Sequence, residues 1–278
     1  MTPLTELSIP NEKPYLLFDS ESSPFERTPA SPFALTDAFI DYAVRLEQPV
    51  LHFWSTEPLV ILGMMDTKLP YLDTALTILK EAKYDYVVRN SGGLAVVSDP
   101  GILNISLIFP EGDKRLTITE GYQRMHYLIE QTFKSYGKSI DAIEIPDSYC
   151  PGDYDLSIDG RKIAGISQRR IKGGIAIMIY ISVTGDQGAR GNLIRTFYEK
   201  GLSGNETKWT FPNVRPSSMT TLEEVFEMPF SLVQVKQSVT MTLQKLTTQL
   251  SLGQYDKEIE KSYLEGMEKM KKRNEKVL

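Results

Sequence analysis

The spacing of apolar positions divides the chain into helix-like and strand-like stretches. Leu35, Ala38, Phe39, Tyr42, Ala43 and Leu46 recur at helical intervals and predict an amphipathic helix that ends before Pro49. Short β-rich runs at 50–54 and 59–62 predict strands, 70–82 reads as helix, and 84–89 returns to strand. Residues 94–109 read as two strands broken at the turn Asp99-Pro100-Gly101. Tyr122, Met125, Ile129, Thr132, Phe133 and Tyr136 place a helix over 119–136. Segments 154–158 and 161–167 flank Asp159-Gly160, a dipeptide that tolerates the positive φ angles of a tight hairpin turn. Residues 175–183 are apolar enough for a central strand. From about 187 to 278 the pattern turns mainly helical, with a capping box expected at Thr220 and Glu223. Residues 1–33, broken by prolines, suggest an extended arm or an edge strand. With no internal repeat or low-complexity linker, the expectation is one α+β (mixed α/β) domain with a helical C-terminal portion.

Composition narrows the function classes. The 278 residues are 41% hydrophobic and 24% charged, enough for one large core or two modest ones. A net charge of -5 gives no reason to expect nucleic acid, and the basic residues of 257–276 alternate with glutamates as on a solvated helix face. A lone cysteine excludes an internal disulfide. The polar N-terminus has no apolar signal core and no run reaches the ~18 residues of a membrane span, so the expected compartment is the cytosol, with no membrane partner.

Three segments could carry chemistry. Arg89-Asn90-Ser91-Gly92-Gly93 lies between two strands, where paired glycines let backbone N–H groups approach a ligand. By itself it reads better as a plain tight turn, since glycine pairs are common turn formers. In Gly160-Arg161-Lys162-Ile163-Ala164-Gly165, a two-residue turn pairs Lys162 with Ser157 and sets it on one sheet face with Ala164, Ile166, Asp155 and Asp153. A solvent-facing lysine is the alternative, since lysine is rarely buried unpaired. Cys150 sits in Asp147-Ser148-Tyr149-Cys150-Pro151-Gly152-Asp153, a poor place for a buried apolar plug, and a nearby ammonium would favour the nucleophilic thiolate. His52 and His126 are read as packing or surface residues, and no Cys/His cluster suggests a metal.

Together these segments resemble the lipoate/octanoate protein transferase and ligase family, of the biotin/lipoate ligase fold. The glycine loop from Arg89 to Val96, continuing into Asp99 and Asn104, and the lysine motif 160–165 occur in the family's order across roughly 34–183. The ATP-using ligases carry a His-Asp pair where this chain has Ser98-Asp99, and a His-Gly step where it reads Lys172-Gly173-Gly174. A cysteine twelve residues before the lysine is instead similar to the cysteine-dependent amidotransferase branch. The resemblance implies Cys150 as nucleophile of a thioester intermediate, with Lys162 as its catalytic partner. It implies acyl-site roles for Arg89, Ser91, Gly92, Gly93, Asn104, Gly160, Ala164 and Gly165, and neither ATP nor metal as cofactor. The implied donor is an octanoylated glycine-cleavage H protein, and the acceptors are apo lipoyl domains of 2-oxoacid dehydrogenase E2 subunits. An acyl-carrier-protein donor, an ATP-dependent ligase and a non-catalytic carrier-binding module remain as alternatives.

Overall fold

The computed structural model describes residues 9, 13–112, 116–247 and 249–275. In chain order the elements are β1 (Tyr15–Asp19), α1 (Ser31–Leu46), β2 (Val50–Trp54), β3 (Leu59–Leu62), α2 (Leu72–Glu81), β4 (Asp85–Val88), β5 (Val96–Ser98), β6 (Ile102–Pro110) and α3 (Ile118–Phe133). There follow β7 (Asp141–Ala142), β8 (Asp155–Ile158), β9 (Arg161–Ile171), β10 (Gly174–Ser182), α4 (Gln187–Leu202), α5 (Leu222–Phe226), α6 (Leu232–Leu246), β11 (Leu250–Leu252) and α7 (Lys257–Glu275).

Eight strands form one mixed sheet in the order β11-β1-β2-β6-β10-β9-β8-β7, and β4-β3-β5 form a smaller one. Side chains alternate across a strand, so β2, β6 and β10 serve two cores. Leu51, Phe53, Ile105, Leu107 and Ile177 pack with Met125 and Ile129 of α3 and Val235 and Val239 of α6. Val50, Ile108, Ala176 and Met178 face Ala38 and Phe39 of α1, whose cluster also takes in Ile259 and Tyr263 of α7. A third cluster joins β3 to α2 and α4 through Leu62, Leu76, Leu79, Ile194 and Phe197. Full burial of each Val, Leu, Ile, Phe or Met among them stabilises the fold by about 1.5–3 kcal/mol.

The predicted strands and helices of 35–183 are present, and the structure adds three differences. Part of the expected N-terminal arm (1–8 and 10–12) lies outside the described residues, but Tyr15–Asp19 is an interior strand, parallel to both β11 and β2. Its far neighbour β11 interrupts the helical C-terminal portion. The expected cap shifts by one: Thr221 caps α5 by accepting the Glu224 N–H at 3.1 Å, while Thr220 bonds the Glu224 carboxylate. Position 276, at the end of the basic stretch, is also outside the described residues; the rest of that stretch forms α7, which buries Ile259, Tyr263 and Met270 on its inner side.

The turn after β5 carries the chain from the small sheet to the large one. Asp99 accepts two hydrogen bonds from the Arg190 guanidinium of α4, at 2.6 and 2.7 Å. The passage between sheets is thereby tied to the C-terminal helices, and the space between the sheets becomes the site.

Candidate active site

The hairpin β8–β9 turns at Asp159 (φ 51°) and Gly160 (φ 72°), and it pairs Ser157 with Lys162. A bulge between Leu156 and Ser157 then shifts the register, setting Leu156 opposite Ala164 and Asp155 opposite Gly165. Lys162 points inward and is 1% exposed. Its ammonium forms an ion pair with Asp155 at 2.8 Å and donates to Ser148 Oγ, Tyr149 O and Cys150 O at 3.1, 3.0 and 2.9 Å. Burial holds the Asp155 carboxyl above its ordinary range, opposed by the Lys162 ammonium and the Ile145 N–H. A buried ammonium surrounded by four oxygens has no unused donor.

Lys162 therefore holds the backbone of the Cys150 loop. Cys150 lies in the left-handed region at φ 48°, a conformation that costs a residue bearing a Cβ about 1–2 kcal/mol and persists where surroundings enforce it. The loop closes on itself through Ser148 N–H to Ile145 O and Asp155 N–H to Gly152 O, both 3.0 Å.

The Cys150 sulfur meets the glycine loop. Sγ accepts from the Leu94 N–H at 3.1 Å and from Arg89 Nη2 at 3.6 Å. The same guanidinium nitrogen donates to Leu94 O at 2.8 Å. Gly93 (φ 105°) makes this approach feasible: a Cβ there would overlap Arg89 Nη2 and stand 2.9 Å from Sγ. Gly63 permits the other side of the crossing, since a Cβ on it would overlap the Gly93 carbonyl. Charge-assisted N–H donors favour an anion on the acceptor, so the arrangement suits a sulfur nucleophile.

Beside Sγ a cavity of about 280 Å³ opens between the sheets, near the lower end of ligand-pocket sizes. Phe33, Trp54, Ile61, Val96, Met178 and Tyr180 give it an apolar wall. Among the expected site residues, Cys150, Arg89, Ser91, Gly92, Gly93, Asn104 and Gly165 line it. Asn104 is oriented by its bond to Ser98 Oγ at 3.1 Å, and Gly165 makes room for the Tyr180 ring. Two expected acyl-site residues do not line the cavity. Gly160 is an exposed hairpin-turn residue, and Ala164 packs in the α3–α6 core because the bulge turns it there. Lys162 is not among the lining residues either; its ammonium contacts Asp155, Ser148 Oγ and the carbonyls of Tyr149 and Cys150.

The histidines are elsewhere. His126 Nε2 pairs with Ile140 O at 2.8 Å. His52 is buried against Phe39, and burial pushes it down to about 3, so it is neutral. Among the described residues no group of three or more His, Cys, Asp or Glu could hold a metal ion, and no helix is long and apolar enough to cross a membrane.

Sequence reasoning missed Asp66 of the β3–α2 connection and Tyr198 of α4. Tyr198 Oη donates to Asp66 at 2.8 Å and accepts the Ala95 N–H at 3.1 Å, while Asp66 also accepts the Gly63 N–H at 2.7 Å. Burial pushes the Asp66 carboxyl up to about 6. No local pattern announces such a contact between residues so distant in sequence.

Comparison with known proteins agrees with the fold and the motifs. The family model described as lipoyl protein ligase A/B catalytic domain matches residues 28–244. The octanoyl-[GcvH]:protein N-octanoyltransferase of Geobacillus kaustophilus is 46% identical over 236 residues, covering 84% of this chain and 80% of that protein. The lipoyl-[GcvH]:protein N-lipoyltransferase of Listeria monocytogenes is 45% identical over 188 residues, 68% of each. A crystal structure of lipoate-protein ligase A bound with ATP superposes with a TM-score of 0.70 over 93% of this chain and 95% of that one, at 18% identity, a likeness of fold.

Proposed function

The chain belongs to the lipoyl protein ligase A/B catalytic-domain family, and from that premise we propose that it is a cysteine-dependent protein N-octanoyltransferase. It takes the octanoyl group from a lysine of glycine-cleavage H protein and passes it to a lysine of an apo lipoyl domain of an E2 subunit. The observation that carries this reading is Cys150 Sγ, held between the Leu94 N–H and Arg89 at the wall of an apolar cavity. We assign octanoyl rather than lipoyl because the relative bearing that name matches more of the chain.

In the first step the Cys150 sulfur attacks the octanoyl carbonyl carbon, forming the C–S bond. The amide C–N bond breaks, and the donor lysine leaves as an amine carrying the proton that the thiol gave up. In the second step the acceptor amine attacks the thioester, the C–S bond breaks, and the proton lost by that amine restores the thiol. One amide replaces another, so the exchange is nearly balanced and needs no ATP, and covalent catalysis splits it into two easier halves. Arg89 and the Leu94 N–H stabilise negative charge at the reacting sulfur. The cavity wall buries the tail at about 0.8 kcal/mol per methylene. Lys162 fixes the left-handed Cys150 backbone, a positioning part in place of direct contact with the sulfur. We propose further that the described chain works as one catalytic unit in the cytosol, with α4 supporting the glycine loop.

Intact-mass analysis of an ATP-free mixture of this protein, octanoylated H protein and an apo lipoyl domain tests the reading. The expected result is an octanoyl mass that leaves the H protein, appears on this protein and then on the lipoyl domain, with Cys150→Ala blocking every transfer. Transfer at the wild-type rate by Cys150→Ala, or none by the native protein, would overturn it; movement of lipoyl but not octanoyl would correct the acyl assignment.

A further inference from the structure

The Leu94–Ala95 peptide unit is held at both ends. Its carbonyl accepts from Arg89 Nη2 at 2.8 Å, and its N–H donates to Tyr198 Oη at 3.1 Å. Only the φ and ψ of Leu94 join that plane to the Gly93–Leu94 peptide, so holding the one restricts the direction of the preceding N–H, which reaches Cys150 Sγ at 3.1 Å. Tyr198 is 2% exposed and spends its own proton on Asp66, which is fully buried and also accepts the Gly63 N–H. Gly63 in turn is the residue that lets its strand cross against Gly93. A buried carboxylate with no cation in contact among the described residues is costly, and it is retained here under the loop that faces Cys150.

We propose that Tyr198 and Asp66 are positioning residues of acyl transfer: Tyr198, oriented by Asp66, clamps the Leu94–Ala95 peptide and so aims the Leu94 N–H at the Cys150 sulfur. The inference rests on the acyltransferase reading for its role in turnover, but the aim at sulfur is independent of the donor. Its ligand-side consequence is electrostatic. The Leu94 N–H is one of two donors on the sulfur, and a donor displaced by tenths of an ångström loses much of its value to a developing charge. The clamp also assigns α4 a part in the reaction, since Tyr198 comes from that helix. Arg89, within the electrostatic reach of Asp66, is the other end of the same device.

Tyr198→Phe removes one oxygen and leaves the ring packing on Phe197 and Phe211 in place. Asp66→Asn keeps an acceptor for Gly63 but weakens the hold on Tyr198. Each full-length variant is assayed for octanoyl transfer from octanoylated H protein and for alkylation of Cys150 by iodoacetamide at pH 7. The expected result for Tyr198→Phe is a kcat lower by about ten-fold, less than the ~100-fold typical of deleting a direct oxyanion donor, with the donor KM changed less than about two-fold. Alkylation should slow in parallel, and Asp66→Asn should show both effects to a smaller degree. Unchanged kcat and alkylation in a folded Tyr198→Phe would overturn the proposal, as would a loss confined to KM. Should Tyr198→Phe not fold, Asp66→Asn decides by the same two measurements. If the native protein transfers nothing from H protein, the acyltransferase reading fails while alkylation still tests the clamp.

Discussion

Replacing Lys162 with methionine tests whether its ammonium holds the Cys150 loop. Methionine matches the unbranched stem but strands Asp155, which is 2% exposed, and removes the donor shared by Ser148, Tyr149 and Cys150. Breaking a buried ion pair by removing one partner costs about 3–5 kcal/mol. In a chain of this size each kcal/mol moves the midpoint by about 2–4 °C, so Lys162→Met should melt roughly 6–20 °C below wild type. The deficit should grow with pH. Burial already raises the Asp155 carboxyl from its ordinary 3.8, and losing the ammonium raises it further. An acid raised in the folded state stabilises the fold below its unfolded value and loses that contribution as pH rises through the folded one. Adding Asp155→Asn removes the stranded charge and keeps an acceptor for the Ile145 N–H, so the double variant should recover at least about 1 kcal/mol. It should not recover transfer, because the Cys150 backbone still lacks its anchor. Thermal and urea melts of both variants at pH 5 and pH 8 supply the check. A single variant melting within about 2 °C of wild type, or a double variant no more stable than the single, would refute the reasoning.

Gly93→Ala should fold but transfer at least ~100-fold more slowly, because its Cβ intrudes on both Arg89 and Sγ; a near-native rate in a steady-state assay contradicts the described crossing. Arg89→Lys keeps the charge but not the fork that reaches Leu94 O and Sγ together, so kcat should fall about ten-fold or more while Cys150 stays titratable by thiol reagent. His52, pushed down to about 3 from 6.5, contributes stability that is present above pH 6.5 and lost as pH falls through 3. His52→Leu should therefore flatten the acid limb of the stability curve, and a limb unchanged in urea melts from pH 7 to pH 4 would show that the residue is not the source.

Much of the fold could be read from spacing, because the signals there are local. The Asp159-Gly160 turn fixes the start of the hairpin register, and Ser157 does pair with Lys162. The bulge one step later leaves no mark on a period-two pattern, and it redirects Ala164 into the core while keeping Asp155 within reach of Lys162. The cavity-lining residues of the glycine loop were legible only jointly with the lysine motif and Cys150, because paired glycines alone are common turn formers. Tyr198 and Asp66 were not, since a tyrosine on a helix packed against α2 looks like core until its hydroxyl is located. Tyr15–Asp19 reads as an arm or an edge strand, not an interior one, because its second partner β11 lies more than two hundred residues further on.

That last pairing has a consequence for synthesis. Residues of β1 leave the ribosome before the rest of their sheet, yet one of their two flanking strands is made more than two hundred residues later, and α1 waits similarly for α7. Long loops must close before such contacts repay their entropy, which slows folding and leaves an open edge meanwhile. Tyr198, which bonds the Ala95 N–H beside the glycine loop, and Arg190, which holds Asp99, also emerge late. A nascent chain thus carries Cys150 long before it carries the means to aim at it, and a prematurely ended product would be a lone thiol on an unfinished sheet.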